Sequence, residues 1–101
     1  MIRVSLSPLA EQDLEEIGDY IAADSPHRAI TFIKELRRTC EKLALAPAIG
    51  THRPELGDGI RMFPYGNYLI FYRATTARMR IERIMHGARD IDRDDLGFPS
   101  Q

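Results

Sequence analysis

The chain reads as an α+β domain in which a helical hairpin packs on a small antiparallel sheet, in the order β-α-α-β-β-β. Three observations predict this. Two Ser-Pro pairs, Ser7-Pro8 and Ser25-Pro26, each stand immediately before a run with helical apolar spacing. A stretch rich in proline and glycine, from Pro47 to Gly59, then closes the helical half. After it come three short runs with strand character, separated by turn residues. Helices first and strands afterwards is the pattern of a segregated α+β layer pair.

The first strand rests on Ile2-Arg3-Val4-Ser5-Leu6, where apolar and polar residues alternate as on a half-buried strand. Ser7 then supplies an N-cap oxygen, and Pro8 fits the first helical position. Helix one places Ala10, Leu14, Ile17 and Ile21 on one stripe. Its acids, Glu11, Asp13, Glu15, Glu16 and Asp19, read as a solvated face suited to the helix dipole. Ser25 and Pro26 open helix two, whose buried side is Ala29, Phe32, Ile33, Leu36, Cys40 and Leu43, and which stops before Ala46-Pro47. Two amphipathic helices joined by so few residues form an antiparallel hairpin. Cys40 falls inside the apolar stripe and reads as a small core residue.

The segment from Pro47 to Gly59 is expected as a loop, long enough to suggest function or mobility. Ile60-Arg61-Met62-Phe63 follows as a short strand ending at Pro64. The turn Pro64-Tyr65-Gly66-Asn67 leads into Tyr68-Leu69-Ile70-Phe71-Tyr72-Arg73. That run is apolar or aromatic almost throughout, so it reads as a central strand covered on both faces. After a turn over Ala74 to Ala77, the last strand begins at Met79. Its alternation fails at Arg83-Ile84-Met85, where a bulge or a change of covering layer would fit. Residues 1–91 form one domain, and 92–101 an acidic, flexible C-terminal tail.

Composition narrows the function classes. With 101 residues, 44% hydrophobic, there is room for one self-sufficient core and no need of a disulfide or metal. The longest apolar runs span four to six residues, against the ~20 that cross a bilayer, and Met1-Ile2-Arg3-Val4 is no signal core. No membrane association is expected. A single cysteine allows no internal disulfide and suits a cytoplasmic location. Residues 1–24 carry a balance of −5, residues 25–89 of +7, and the remainder of −3. Twelve of the fourteen bases are arginine, the residue suited to bidentate contacts. The net charge of −1 is far from the basic excess of proteins that live on duplexes or ribosomes.

No metal or cofactor is expected. His27, His52 and His86 are widely spaced, and neither a phosphate-binding glycine loop nor a Gly-x-Ser-x-Gly elbow is present. The densest polar constellation is Arg61, Arg73, Arg78, Arg80, Arg83, His86 and Arg89, interleaved with Tyr65, Tyr68 and Tyr72. Guanidinium groups with an imidazole could serve metal-free RNA cleavage. Equally, Arg78 and Arg80 could line a solvent face, while Arg61 and Arg73 pair with Glu55, Asp58 or Glu82.

Several motifs in order resemble the RelE/ParE superfamily of bacterial toxins, and within it the ParE branch. They are Leu6-Ser7-Pro8-Leu9-Ala10 with Asp13-Leu14, Asp19-Tyr20-Ile21-Ala22, Ser25-Pro26, Arg53-Pro54-Glu55-Leu56, Gly59-Ile60-Arg61, the Tyr68–Arg73 run, and Ile84-Met85-His86-Gly87-Ala88-Arg89-Asp90. The resemblance implies the toxin of a type II toxin–antitoxin module, neutralised in a hetero-oligomer by an antitoxin that covers the helix hairpin and sheet edge. ParE-like toxins poison DNA gyrase by binding, which assigns target contact to Arg83, His86 and Arg89 and no catalytic residue. RelE-like toxins instead cleave mRNA in the ribosome, a reading that would use His86, Arg61, Arg83 and Tyr72. A non-toxic homologue acting only in complex assembly and repression is the third possibility. Lysine is confined to Lys34 and Lys42 on helix two, and helix one is acidic, so gyrase poisoning is the expectation.

Overall fold

A computed structural model describes residues 2–87. Strand β1 (Arg3–Leu6) runs directly into helix α1 (Pro8–Ala22), and α2 (Pro26–Leu43) returns alongside it. Both helices start as their Ser-Pro pairs dictate. The Ser7 hydroxyl accepts the Ala10 N–H at 3.0 Å, and the Ser25 hydroxyl accepts that of Arg28 at 3.3 Å. Strands β2 (Thr51–His52), β3 (Arg61–Tyr65), β4 (Tyr68–Ala74) and β5 (Arg78–His86) complete the chain, giving a sheet of order β1-β5-β4-β3-β2.

The α+β class and the element order are as the sequence predicts, with two differences. The sheet is mixed: β1 lies parallel to β5, with Arg3 opposite Arg78 and Leu6 opposite Ile81. The helical hairpin between β1 and the meander carries the chain back, so the last strand can run beside the first in the same direction. The expected long loop also holds structure. It contains β2, paired with β3, between two 3-10 turns at Pro47–Ile49 and Pro54–Leu56.

Strand β3 continues through Pro64, which pairs with Leu69. There β2 no longer flanks β3, and a strand edge tolerates a residue without an N–H. Gly66, at φ +58°, makes the tight turn that joins Tyr65 to Tyr68.

The two faces of the sheet have different covers. On the helix face, Ala10, Leu14 and Ile17 of α1 and Phe32, Leu36, Cys40 and Leu43 of α2 meet Ile70, Tyr72, Met79, Ile81 and Ile84. On the other face, Leu56 and Ile60 fold back over Phe71 and Met85. Strand β4 is therefore covered on both sides, as its unbroken hydrophobicity requires.

The break in alternation on β5 is a bulge. Phe71 faces Arg83 while Tyr72 faces Ile81, leaving Glu82 as the extra residue. Beyond it Ile84 and Met85 point to the two opposite cores.

Candidate functional site

The bulge lies where β1 ends and α1 begins, and α1 takes over as the neighbour of β5. The Ser7 N–H donates to the Ile81 carbonyl at 2.9 Å, and its hydroxyl donates to the Glu82 carbonyl at 2.7 Å. One helical turn on, the Asp13 carboxylate accepts the Ile84 N–H at 2.9 Å. Arg83 then donates from Nε and Nη2 to the two oxygens of Asp13, both at 2.8 Å. Asp13 is buried, and the Arg83 side chain is only 16% exposed. One carboxylate thus stands in for a missing strand and neutralises a half-buried guanidinium.

Next to this clamp, a groove of about 400 Å³ opens between α1 and the end of β5, lined among others by Glu16, Ile17, Tyr20, Tyr68 and His86. Tyr20 stands 77% exposed at its wall. The Tyr68 ring meets the His86 ring edge-on, with centroids 5.3 Å apart, and packs on Phe32 at 5.7 Å. Phe32 in turn carries the Arg28 guanidinium 5.1 Å above its ring and touches Tyr65. Burial, with nearby Tyr20 adding to it, pushes the Tyr68 phenol above its usual range. The groove therefore combines aromatic faces, one exposed carboxylate and an imidazole. Such a surface binds another chain better than it activates a nucleophile.

The other residues suggested for catalysis lie elsewhere. Tyr72 is completely buried in the helix-side core. Its hydroxyl donates to the Pro47 carbonyl at 2.7 Å and accepts the Gly50 N–H at 2.9 Å. Burial raises its pKa, against the opposing pull of that N–H and of Arg61. Arg61, its register partner on β3, donates to the carbonyls of Ala48 and Gly50, the latter at 2.8 Å. Arg61 and Tyr72 together tie the segment after α2 to the sheet. Arg61 has no carboxylate partner among the described residues, because Glu55 is taken by Arg53 at 2.6 Å. That contact holds the Glu55 carboxyl below its ordinary range.

Of the residues expected at the target surface, Arg83 and His86 line one groove, and Arg89 lies outside the described residues. Arg78 and Arg80 are exposed, as the alternation suggested. Asp13 is the correction: its sequence neighbours on α1 made it look solvated, yet it is the acid at the centre of the clamp. The signal was available, since position 13 lies three residues after Ala10 and next to Leu14, inside the apolar arc.

This fold and groove can be set beside known proteins. The family model described as the ParE toxin of the type II toxin–antitoxin system, parDE, matches residues 4–91. The chain belongs to the ParE toxin family. Toxin ParE1 of Caulobacter vibrioides is 32% identical over 82 residues, covering 80% of this chain and 84% of that protein. A chain from the chromosomal ParDE toxin–antitoxin system of P. aeruginosa superposes with a TM-score of 0.70. That match covers 85% of this chain and 96% of the other, at 21% identity, and so bears on the fold alone. This ParE-family chain is accordingly the toxin of a ParDE-type system, and an antitoxin partner goes with such a system.

Among the described residues, no cluster of His, Cys, Asp or Glu has the arrangement of a metal site. No helix among them is long and apolar enough to cross a membrane.

Proposed function

We propose that this ParE-family toxin acts in the cytoplasm by binding DNA gyrase, through the groove between α1 and the end of β5, and is neutralised by an antitoxin that covers the helical hairpin. The observation that carries the binding reading is the placement of Arg61 and Tyr72. A metal-free ribonuclease needs an acid, a base and phosphate-holding cations converging on one point. Here two of the four groups that could have supplied them hold a loop to the sheet, and a third, Arg83, is chelated by Asp13. His86 stands with Tyr68 instead, in a groove whose character is aromatic.

Within that surface His86 and Arg89 are the direct contacts, and Arg83 acts by fixing the groove wall. Arg83 itself reaches the target only with the part of its side chain that Asp13 leaves open. The exposed apolar side chains Leu9, Tyr20 and Ile30 on the two helices are where the antitoxin gains contact area.

A supercoiling assay run beside a ribosome-dependent mRNA cleavage assay tests the reading. The toxin should inhibit supercoiling and leave mRNA intact. Arg89→Glu and His86→Ala should each weaken gyrase inhibition while antitoxin binding persists. The ribonuclease reading replaces this one if mRNA is cut and His86→Ala lowers that rate ~10²-fold or more.

A further inference from the structure

We infer that the outer edge of β1 is a docking site for an extended peptide in which acidic and apolar residues alternate. Three observations converge on it.

The first is an unusual charge pairing. Arg3 and Arg78 lie directly opposite one another on neighbouring strands, both exposed. Neither has an acidic partner among the described residues. Like charges opposite each other in a sheet are destabilising. Arg80 follows on the same face, opposite Ser5, with Glu82 at 3.5 Å as its counter-charge. One carboxylate thus faces three guanidinium groups.

The second is the open edge. Strand β1 ends the sheet, so only one of its sides is paired. The N–H groups of Arg3 and Ser7 point to β5, donating to the carbonyls of Ala77 and Ile81. By strand alternation those of Val4 and Leu6 point away from it, as a template for one more strand.

The third is an apolar groove of about 640 Å³ on the helix side of the same edge, lined by Ile2, Val4, Ala44, Leu45, Glu41 and Thr76. Leu45, 83% exposed, is the barest large apolar side chain of the described residues.

An added strand would present its side chains alternately to these two faces. Apolar ones would enter the groove beside Ile2, Val4 and Leu45, and carboxylates would reach Arg3 and Arg78. Glu41 in the groove wall repels an acid placed there, so the charge pattern also fixes the register. This is strand addition with side-chain pockets for specificity. A nucleic acid backbone would satisfy the arginines and leave both the hydrogen-bonding edge and the groove unused. The inference rests on the toxin–antitoxin reading only for which chain supplies the segment, and peptide binding is measured apart from it.

The test uses the full chain, 15N-labelled, and a blocked nine-residue peptide alternating aspartate with valine. Amide shifts should concentrate at Val4 and Leu6. Arg3→Glu combined with Arg78→Glu should weaken binding about tenfold or more. Arg28→Glu, on α2, should leave it unchanged. A peptide with lysine in place of aspartate should not bind. Equal binding of the lysine peptide, shifts confined to other strands, or unaltered affinity in the double variant would overturn the inference. So would duplex DNA shifting the same amides where the peptide does not. None of these outcomes touches gyrase inhibition, so the function proposed above stands or falls separately.

Discussion

Asp13 holds three donors with two oxygens, and its removal would orphan all three. Losing one partner of a buried ion pair costs about 3–5 kcal/mol, because the other charge is left uncompensated. A domain of this size is stable by only about 5–15 kcal/mol. Asp13→Ala should therefore lower the urea midpoint severely. Asp13→Asn, which keeps an acceptor for the Ile84 N–H, should fall between it and the natural chain. A shift within about 0.5 kcal/mol for Asp13→Ala would mean that the clamp contributes little.

Cys40 makes a second prediction at the same scale. Burial pushes its thiol up from 9.0 to about 11, against the opposing charge of Arg37. The folded chain keeps the thiol neutral where the unfolded chain would ionise it. The resulting stabilisation is complete below pH 9 and disappears as pH climbs towards 11, on the order of 2 kcal/mol in all. Thermal melts across that window should show the decline, and Cys40→Ala should flatten it. At pH 8 the native chain should resist iodoacetamide, and react once urea is added.

Among the elements, the segment from Pro47 to Leu56 shows how a loop is held without a core of its own. The Tyr72 hydroxyl reaches out of the sheet to anchor it, and Gly50 is a glycine because any Cβ there would collide with the Tyr72 ring. Tyr72→Phe would leave the buried Gly50 N–H without an acceptor, a loss of about 1–3 kcal/mol. Hydrogen exchange should report it first at Gly50, whereas equal acceleration over the whole sheet would argue against a local anchor. This is also where the sequence was least legible. Arg61 and Tyr72 carry the residue types of phosphate chemistry, and only their tertiary partners reveal them as fasteners. The helices were legible because Ser-Pro caps and apolar stripes are local signals. The bulge was visible as broken alternation, but the Ser7 and Asp13 contacts that stabilise it join residues about 70 positions apart in sequence. Pairing at that distance leaves no periodic trace.

For the molecule as a whole, the element order was readable and the direction of β1 was not. Alternation places a strand in a sheet without saying beside which neighbour or in which sense it runs. The groove residues Tyr20, Tyr68 and His86 are likewise gathered from α1, β4 and β5, and no spacing in the chain predicts their meeting. The parallel pairing of β1 with β5 also makes the sheet depend on both ends of the chain. A version ending before Arg78 should keep helical content yet lack protease resistance in β1. Full protection of that strand in the shortened chain would show that it finds another neighbour.

The same pairing sets a timetable for synthesis. The first strand leaves the ribosome with neither flank occupied, and its proper neighbour is among the last segments to be translated. Until then the nascent chain exposes a sticky N-terminal ribbon, and contacts so distant in sequence form slowly. A newly made molecule becomes harmful only after termination, which gives a co-translated inhibitor time to arrive before the poison has finished folding.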